Sequence, residues 1–177
     1  LGDVTVNKDF VGGNLIKATG QGGGGPATSE GTTQSIENNI LSGVFDGRFI
    51  GGSMAENYGN NTGTLKVSDE RIVTNISGGD FSDATLVVGG AIATGKQTQA
   101  TVGSSILKIT GGEFSSSVRK SIYAGSVAEN EGEVAHKNAH LVIDGSSGNF
   151  SQLGDSLGNQ IYGMFYGGGL NLSLIHI

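Results

Sequence analysis

Asp80 and Glu113 each stand one residue before a phenylalanine, in the closely similar phrases NISGGDF and KITGGEF. If these phrases stack, the two carboxyls meet on the outward face of neighbouring strands. A pair of carboxyls ~5 Å apart is what a retaining glycosidase uses, one as nucleophile and one as acid and base. Asp80 and Glu113 are therefore the candidate catalytic pair of a polysaccharide hydrolase or lyase. The flanking copies carry Val44 and Asn149 at the same place, and a residue beside an inward Phe points to solvent, where acids are common. Arg119 and Lys120 complete no evident acid–base cluster with them. The leading assignment is no catalytic residue, with Asp80 and Glu113 as the alternative.

Four other motifs could carry chemistry. In GGAIATGKQT, Gly90, Gly95 and Lys96 have the spacing of a phosphate-binding loop, but Gln97 stands where a Mg²⁺-binding hydroxyl is needed. The following QTQATVGSS is β-like and offers no helix N-terminus to a phosphate. GQGGGG (20–25) satisfies G-x-G-x-x-G, then runs into Pro26 and a polar stretch, which reads as a flexible loop. His136 and His140 lie four apart near Glu133, a spacing that would align two imidazoles on a helix for zinc. EGEVAHKNAH (131–140) reads as a turn of helix in a variable loop, without an HExxH pattern. GGDFSD (78–83) has Phe81 where a calcium-binding nonapeptide needs Gly. The expectation is no cofactor and no metal.

The elements that would position these residues are repeated. Phe45, Phe81, Phe114 and Phe150 close four related phrases at spacings of 36, 33 and 36 residues. Ile40, Ile76 and Ile109 stand five residues before the first three, and Ile143 seven before the last. A second phrase comes after each Phe: FIGGSMA from Phe49, LVVGGAIA from Leu86, IYAGSVA from Ile122 and a degenerate IYGMFYGGG from Ile161, with an earlier DFVGGNLIKA at Asp9. LKIT and LVID alternate as strands, with Leu107 and Ile109, then Leu141 and Ile143, on one face. The pairs Gly78-Gly79 and Gly111-Gly112 suit corners that need φ > 0.

A unit of this size cannot bury its apolar face alone, so units must stack. The chain therefore reads as all-β, a parallel β-helix (β-solenoid) of about four to five coils with roughly 33–38 residues per coil and an internal Phe ladder at the ~4.8 Å strand spacing. The polar stretches ATGKQTQATVGSS (93–105) and ENEGEVAHKNA (129–139) read as loops between strands. Residues 1–37 read as a partial coil with a Gly-rich loop, 38–169 as the repeated coils, and 170–177 as a non-native or disordered tail, since LSLIHI resembles a translated sequencing adapter. Leu1 is not preceded by a signal peptide, so a fragment of a longer chain is expected.

Composition agrees. Gly supplies 33 of 177 residues, against a usual ~7%, and the single Pro excludes collagen. Leu, Ile, Val and Phe together remain above the ~20% level typical of disordered chains. The formal charge of −6 has no basic cluster, so nucleic acid is not an expected partner. No apolar run is long enough to insert this segment in a membrane as a helix. With no Cys there are no disulfides or thiolate metal sites.

The ordered I-x-GG-x-F and IYGGG-x-A-like phrases over residues 38–169 resemble the passenger repeats of bacterial type V autotransporter adhesins. The resemblance implies a secreted β-helix at the cell surface, extracellular in location. Its partners would be glycans or proteins of host or neighbouring-cell surfaces, and a β-barrel translocator is expected outside this segment.

Overall fold

Alternating apolar residues and Gly corners become strands that pair only with their own repeats. A computed structural model describes residues 4–18, 28–59, 62–114, 120–143, 163–166 and 170–171. The first coil contributes β1 (Thr5–Val6), β2 (Phe10–Val11), β3 (Leu15–Ala18) and β4 (Ser29–Ile40). The second adds β5 (Val44–Phe45), β6 (Arg48–Ile50), β7 (Met54–Asn57) and β8 (Leu65–Ile76). The third holds β9 (Leu86–Val88), β10 (Ile92–Thr94) and β11 (Thr98–Ile109), and the fourth β12 (Lys120–Tyr123), β13 (Val127–Glu129) and β14 (Glu133–Ile143). Strands β15 (Gly163–Tyr166) and β16 (Leu170–Asn171) extend the short sheets.

Among the described residues all pairing is parallel, between equivalent strands of successive coils. The described residues form a β-solenoid of about three turns, counted from β4 to β14 through the four stacked long strands. The long strands β4, β8, β11 and β14 form one sheet. One short sheet is β2-β6-β9-β12-β15 and the other β3-β7-β10-β13-β16. The repeated phrases meet as the sequence spacing requires: Phe49 pairs with Val87 and Val87 with Ile122, while Met54 pairs with Ile92 and Ile92 with Val127. The Phe150 copy and the GQGGGG run lie outside the described residues.

Most of each stretch expected as a loop is instead strand, with turns only at 95–97 and 130–131. Thr98–Ile109 is β11 and Glu133–Ile143 is β14, so the helical turn expected over 131–140 does not form. Each gains a ladder of backbone hydrogen bonds against the long strand of the preceding coil. The small inward side chains Thr98, Ala100 and Val102 are buried, while the polar outward ones face water. Strand preference here comes from burial on one face rather than from intrinsic propensity.

Each long strand changes phase at its middle. In β8 the inward residues are Leu65, Val67 and Asp69, then Ile72, Thr74 and Ile76, with Glu70 and Arg71 both outward. The ladder omits Gln34, Glu70, Gly103 and Lys137, one per coil. Two separate cores pack along the long sheet. One holds Phe45, Phe49, Phe81 and Phe114 with Ile40, Ile76 and Ile109, and the other holds Leu65, Val67, Ile72 and Val102 with Ala55 and Ala93.

Between the short sheets, a Gly-Gly corner presses on the middle of the long sheet. A Cβ on Gly51 would overlap Thr74 Oγ1, and one on Gly52 would lie 2.6 Å from Ile72 Cδ1. With the corner drawn inward, each short sheet lays one face on the long sheet and turns the other toward its counterpart. A third core fills that groove: Ile50, Met54, Val88, Ile92, Tyr123 and Val127.

The Phe ladder is present. The Phe45 and Phe81 rings stack at 4.6 Å and 9°, and Phe81 and Phe114 at 4.9 Å and 2°. A second column, Phe10 on Phe49 at 4.6 Å, stands edge-on beside it. Gly79 and Gly112 adopt φ of +96° and +102° at the preceding corners. Phe81 is fully buried between two stacked rings, so Phe81→Ala is expected to cost about 3–5 kcal/mol. Lys66→Ala, on the exposed face, should stay within ~0.5 kcal/mol. Urea unfolding of both variants checks the register, which equal losses would contradict.

Candidate functional site

Asp80 and Glu113 are brought together: they form a parallel bridge between successive coils, with Val44 bridged to Asp80 on the other side. The Ser82 amide donates to Asp80 Oδ1 at 2.8 Å, so this carboxylate also closes the turn after the corner. Both residues are half-buried.

Gly90 is the second corner glycine of its coil and donates to Gly125 O, and Gly95 takes φ +92° after β10. Lys96 is exposed and lies 3.5 Å from Glu131. The next element is the strand β11, so the phosphate-loop spacing falls across a corner, a strand and a turn. Titration with ATP or GTP and Mg²⁺ is expected to show no saturable binding. Micromolar binding abolished by Lys96→Ala would overturn that assignment.

His136 and His140 do not share a face. The phase change at Lys137 and Asn138 turns His136 inward and His140 outward on β14. Among the described residues no group of three or more His, Cys, Asp or Glu side chains could hold a metal ion.

The densest charged arrangement is not among the motifs read from the sequence. It lies across the mouth of the groove between the short sheets. Glu56, 3% exposed in its side chain, accepts from Lys17 at 2.8 Å, Arg48 at 2.9 Å and Tyr58 OH at 2.7 Å. Arg48 also grips Asp9 through Nε at 3.1 Å and Nη2 at 2.5 Å, and reaches Glu129 at 3.7 Å. Thr94 donates to Glu129. Arg48 and Ile50 share one face of β6, and Met54 and Glu56 share the facing side of β7, so the ions lie over the apolar groove. A sequence signal exists for it: Lys17, Glu56, Thr94 and Glu129 occupy one position of the second repeated phrase and stack in register.

Burial alone would raise the Glu56 pKa, but its three donors outweigh it and hold it below the usual carboxylate range. Asp9 shows the same balance, with Arg48 winning over burial. Both depressed values make the clasp fully stabilising above the ordinary carboxylate range, and weaker as pH falls through the folded-state values. Arg48→Ala uncovers the groove and removes a partner from the buried Glu56, so a loss of about 2–3 kcal/mol is expected. Lys17→Ala, at a 44% exposed side chain, should cost less than ~1 kcal/mol. Thermal or urea unfolding checks the ranking, and the reverse order would refute the clasp.

A second set of polar groups sits where the corner meets the long strand. Asn14 Nδ2 donates to Thr33 Oγ1 in the first coil. In the second, the Ser53 amide and hydroxyl donate to the two oxygens of Asp69, at 2.8 and 2.7 Å. The equivalent residues of the third coil are Ala91 and Val102, both apolar and buried. In the fourth, Ser126 Oγ lies 2.8 Å from His136 Nδ1. The two members change together, from polar to apolar and back. Burial raises the Asp69 pKa against the opposing Ser53 hydrogen bonds. Burial lowers that of His136, opposed by its bond to the Asn138 carbonyl.

No protein-family model, curated protein or solved structure matches this chain.

Proposed function

We propose that the chain is a structural and adhesive module of an exported bacterial cell-surface protein of the autotransporter-adhesin kind, extracellular in location. The observation that supports this reading most is where the polar residues stand. The long sheet turns polar residues outward, as in the column Glu30–Lys66–Gln99–Glu133, which runs through all four coils, and the column Thr32–Ser68–Thr101, which ends on Ala135 in the fourth, over a stacked core. A rigid solenoid presents such a face at fixed spacing, and weak contacts to a surface glycan or protein gain strength when many copies are displayed. The polar stretches act here as sheet surface rather than as projecting loops.

A polysaccharide-processing enzyme is the second reading, favoured by the bridge between Asp80 and Glu113. The two readings part in one assay. Release of reducing ends and of unsaturated products is measured across a glycan panel, for the wild type and for Asp80→Asn/Glu113→Gln. No turnover by either protein is expected. Turnover that vanishes in the double variant would replace the adhesive reading. Binding of multivalent displayed chains to cell surfaces, weakened by changes at Lys66 and Thr101, is the positive counterpart.

A further inference from the structure

The hydrogen bonds around His136 fix which ring nitrogen carries its proton. The Ser105 hydroxyl donates to the Ala124 carbonyl, so it offers a lone pair to His136 Nε2 at 3.1 Å. The Asn138 carbonyl, 2.9 Å from the same nitrogen, can only accept. Nε2 therefore bears the hydrogen. Ser126 Oγ accepts the Ala91 amide at 3.1 Å and gives its own hydrogen to Nδ1 at 2.8 Å. Every bond is satisfied by the neutral ring. Protonation at Nδ1 sets a donor against a donor, and Ser126 then has to turn its hydroxyl away in a fully buried corner.

We propose that the Ser126–His136 corner is an acid-sensitive latch that holds the fourth coil closed when the ring is neutral and releases it when the ring is protonated. Among the described residues the groups bonded to the imidazole are the uncharged Ser105, Ser126 and Asn138, and none is a carboxylate that would compensate a positive ring. On β14, Glu133, Lys137 and His140 face outward. Glu129 on β13 is engaged by Thr94 and Arg48. On β11, Lys108 is exposed, and Val102 separates His136 from Asp69 of β8.

Proton linkage sets the direction. His136 titrates lower in the folded chain than its ordinary 6.5. The folded form then binds fewer protons than the unfolded form, and stability present above that value falls as pH drops through the window below it. Asp69, in the same column two coils away, is shifted upward, so its contribution is fullest at acid pH and declines as pH rises through its folded-state value. Acid loosens the fourth coil while favouring the second.

The third coil supplies the control, because Ala91 and Val102 fill the same corner without titratable atoms. Amide hydrogen exchange, corrected for intrinsic rates, is compared at about pH 7.5 and about pH 5 for the wild type and Ser126→Ala/His136→Val. In the wild type, protection of β13 and β14 is expected to fall by roughly severalfold at the lower pH, the direction that a lowered folded-state pKa of His136 requires, while β8 keeps its protection. In the double variant the protection of β14 should not depend on pH. Equal losses in β14 and β8, or the same loss in the variant, would overturn the proposal. Nitrogen-15 NMR of the wild-type ring tests it without any substitution: a hydrogen on Nδ1 of the neutral ring, or a ring pKa at or above the ordinary value, also overturns it.

Discussion

Parallel in-register stacking is the constraint on which everything else in this molecule depends. Each strand takes its hydrogen bonds from the equivalent strand one coil away, so each inward side chain lies a strand spacing from its own counterpart. What stands at a position must suit what stands there in the next coil. Phe81 between Phe45 and Phe114 meets this with flat stacked rings, and Ile76 between Ile40 and Ile109 with like-shaped aliphatic groups. Where a polar group enters the interior, a second one arrives across the corner to satisfy it, as Asp69 does for Ser53.

The same constraint explains the phrase with two glycines. The corner must approach the long sheet closely enough that side chains at Gly51 or Gly52 would collide with Thr74 or Ile72. That approach lets the short sheets bury both faces, as parallel sheets usually do. The groove between the short sheets is then lined by buried apolar side chains, and the ions lie over its mouth. Arg48 lies along Met54, at 3.9 Å from its sulfur, and joins Glu56 above it. The charges are positioned by an apolar core that they help to cover.

Part of this is legible in the residues. The aromatic and Gly-Gly phrases recur at nearly constant spacing, and no fold but a stack gives them a reason to. Strands β11 and β14 are hidden because their inward positions hold small or polar residues such as Ala100, Ser105 and His136. The phase change at Gly103 and Lys137 also breaks one alternating pattern into two short ones. The clasp is harder to see, since Asp9, Lys17, Arg48 and Glu56 come from two coils and meet only when those coils are in register. Asp80 and Glu113 are visible because their pairing depends on the Phe register alone.

Arg48 has a mechanical consequence. Backbone hydrogen bonds of a solenoid lie along its axis, so a pull between its ends peels coils away in succession, each ladder opening from its edge. Arg48 and Glu56 sit in the second coil, but their partners Asp9, Lys17 and Glu129 belong to the first and fourth. Tension that reaches these residues meets cross-ties between coils in addition to a strand edge. The rim of the groove therefore ties the first, second and fourth coils through side chains, in addition to the backbone ladders between neighbouring coils.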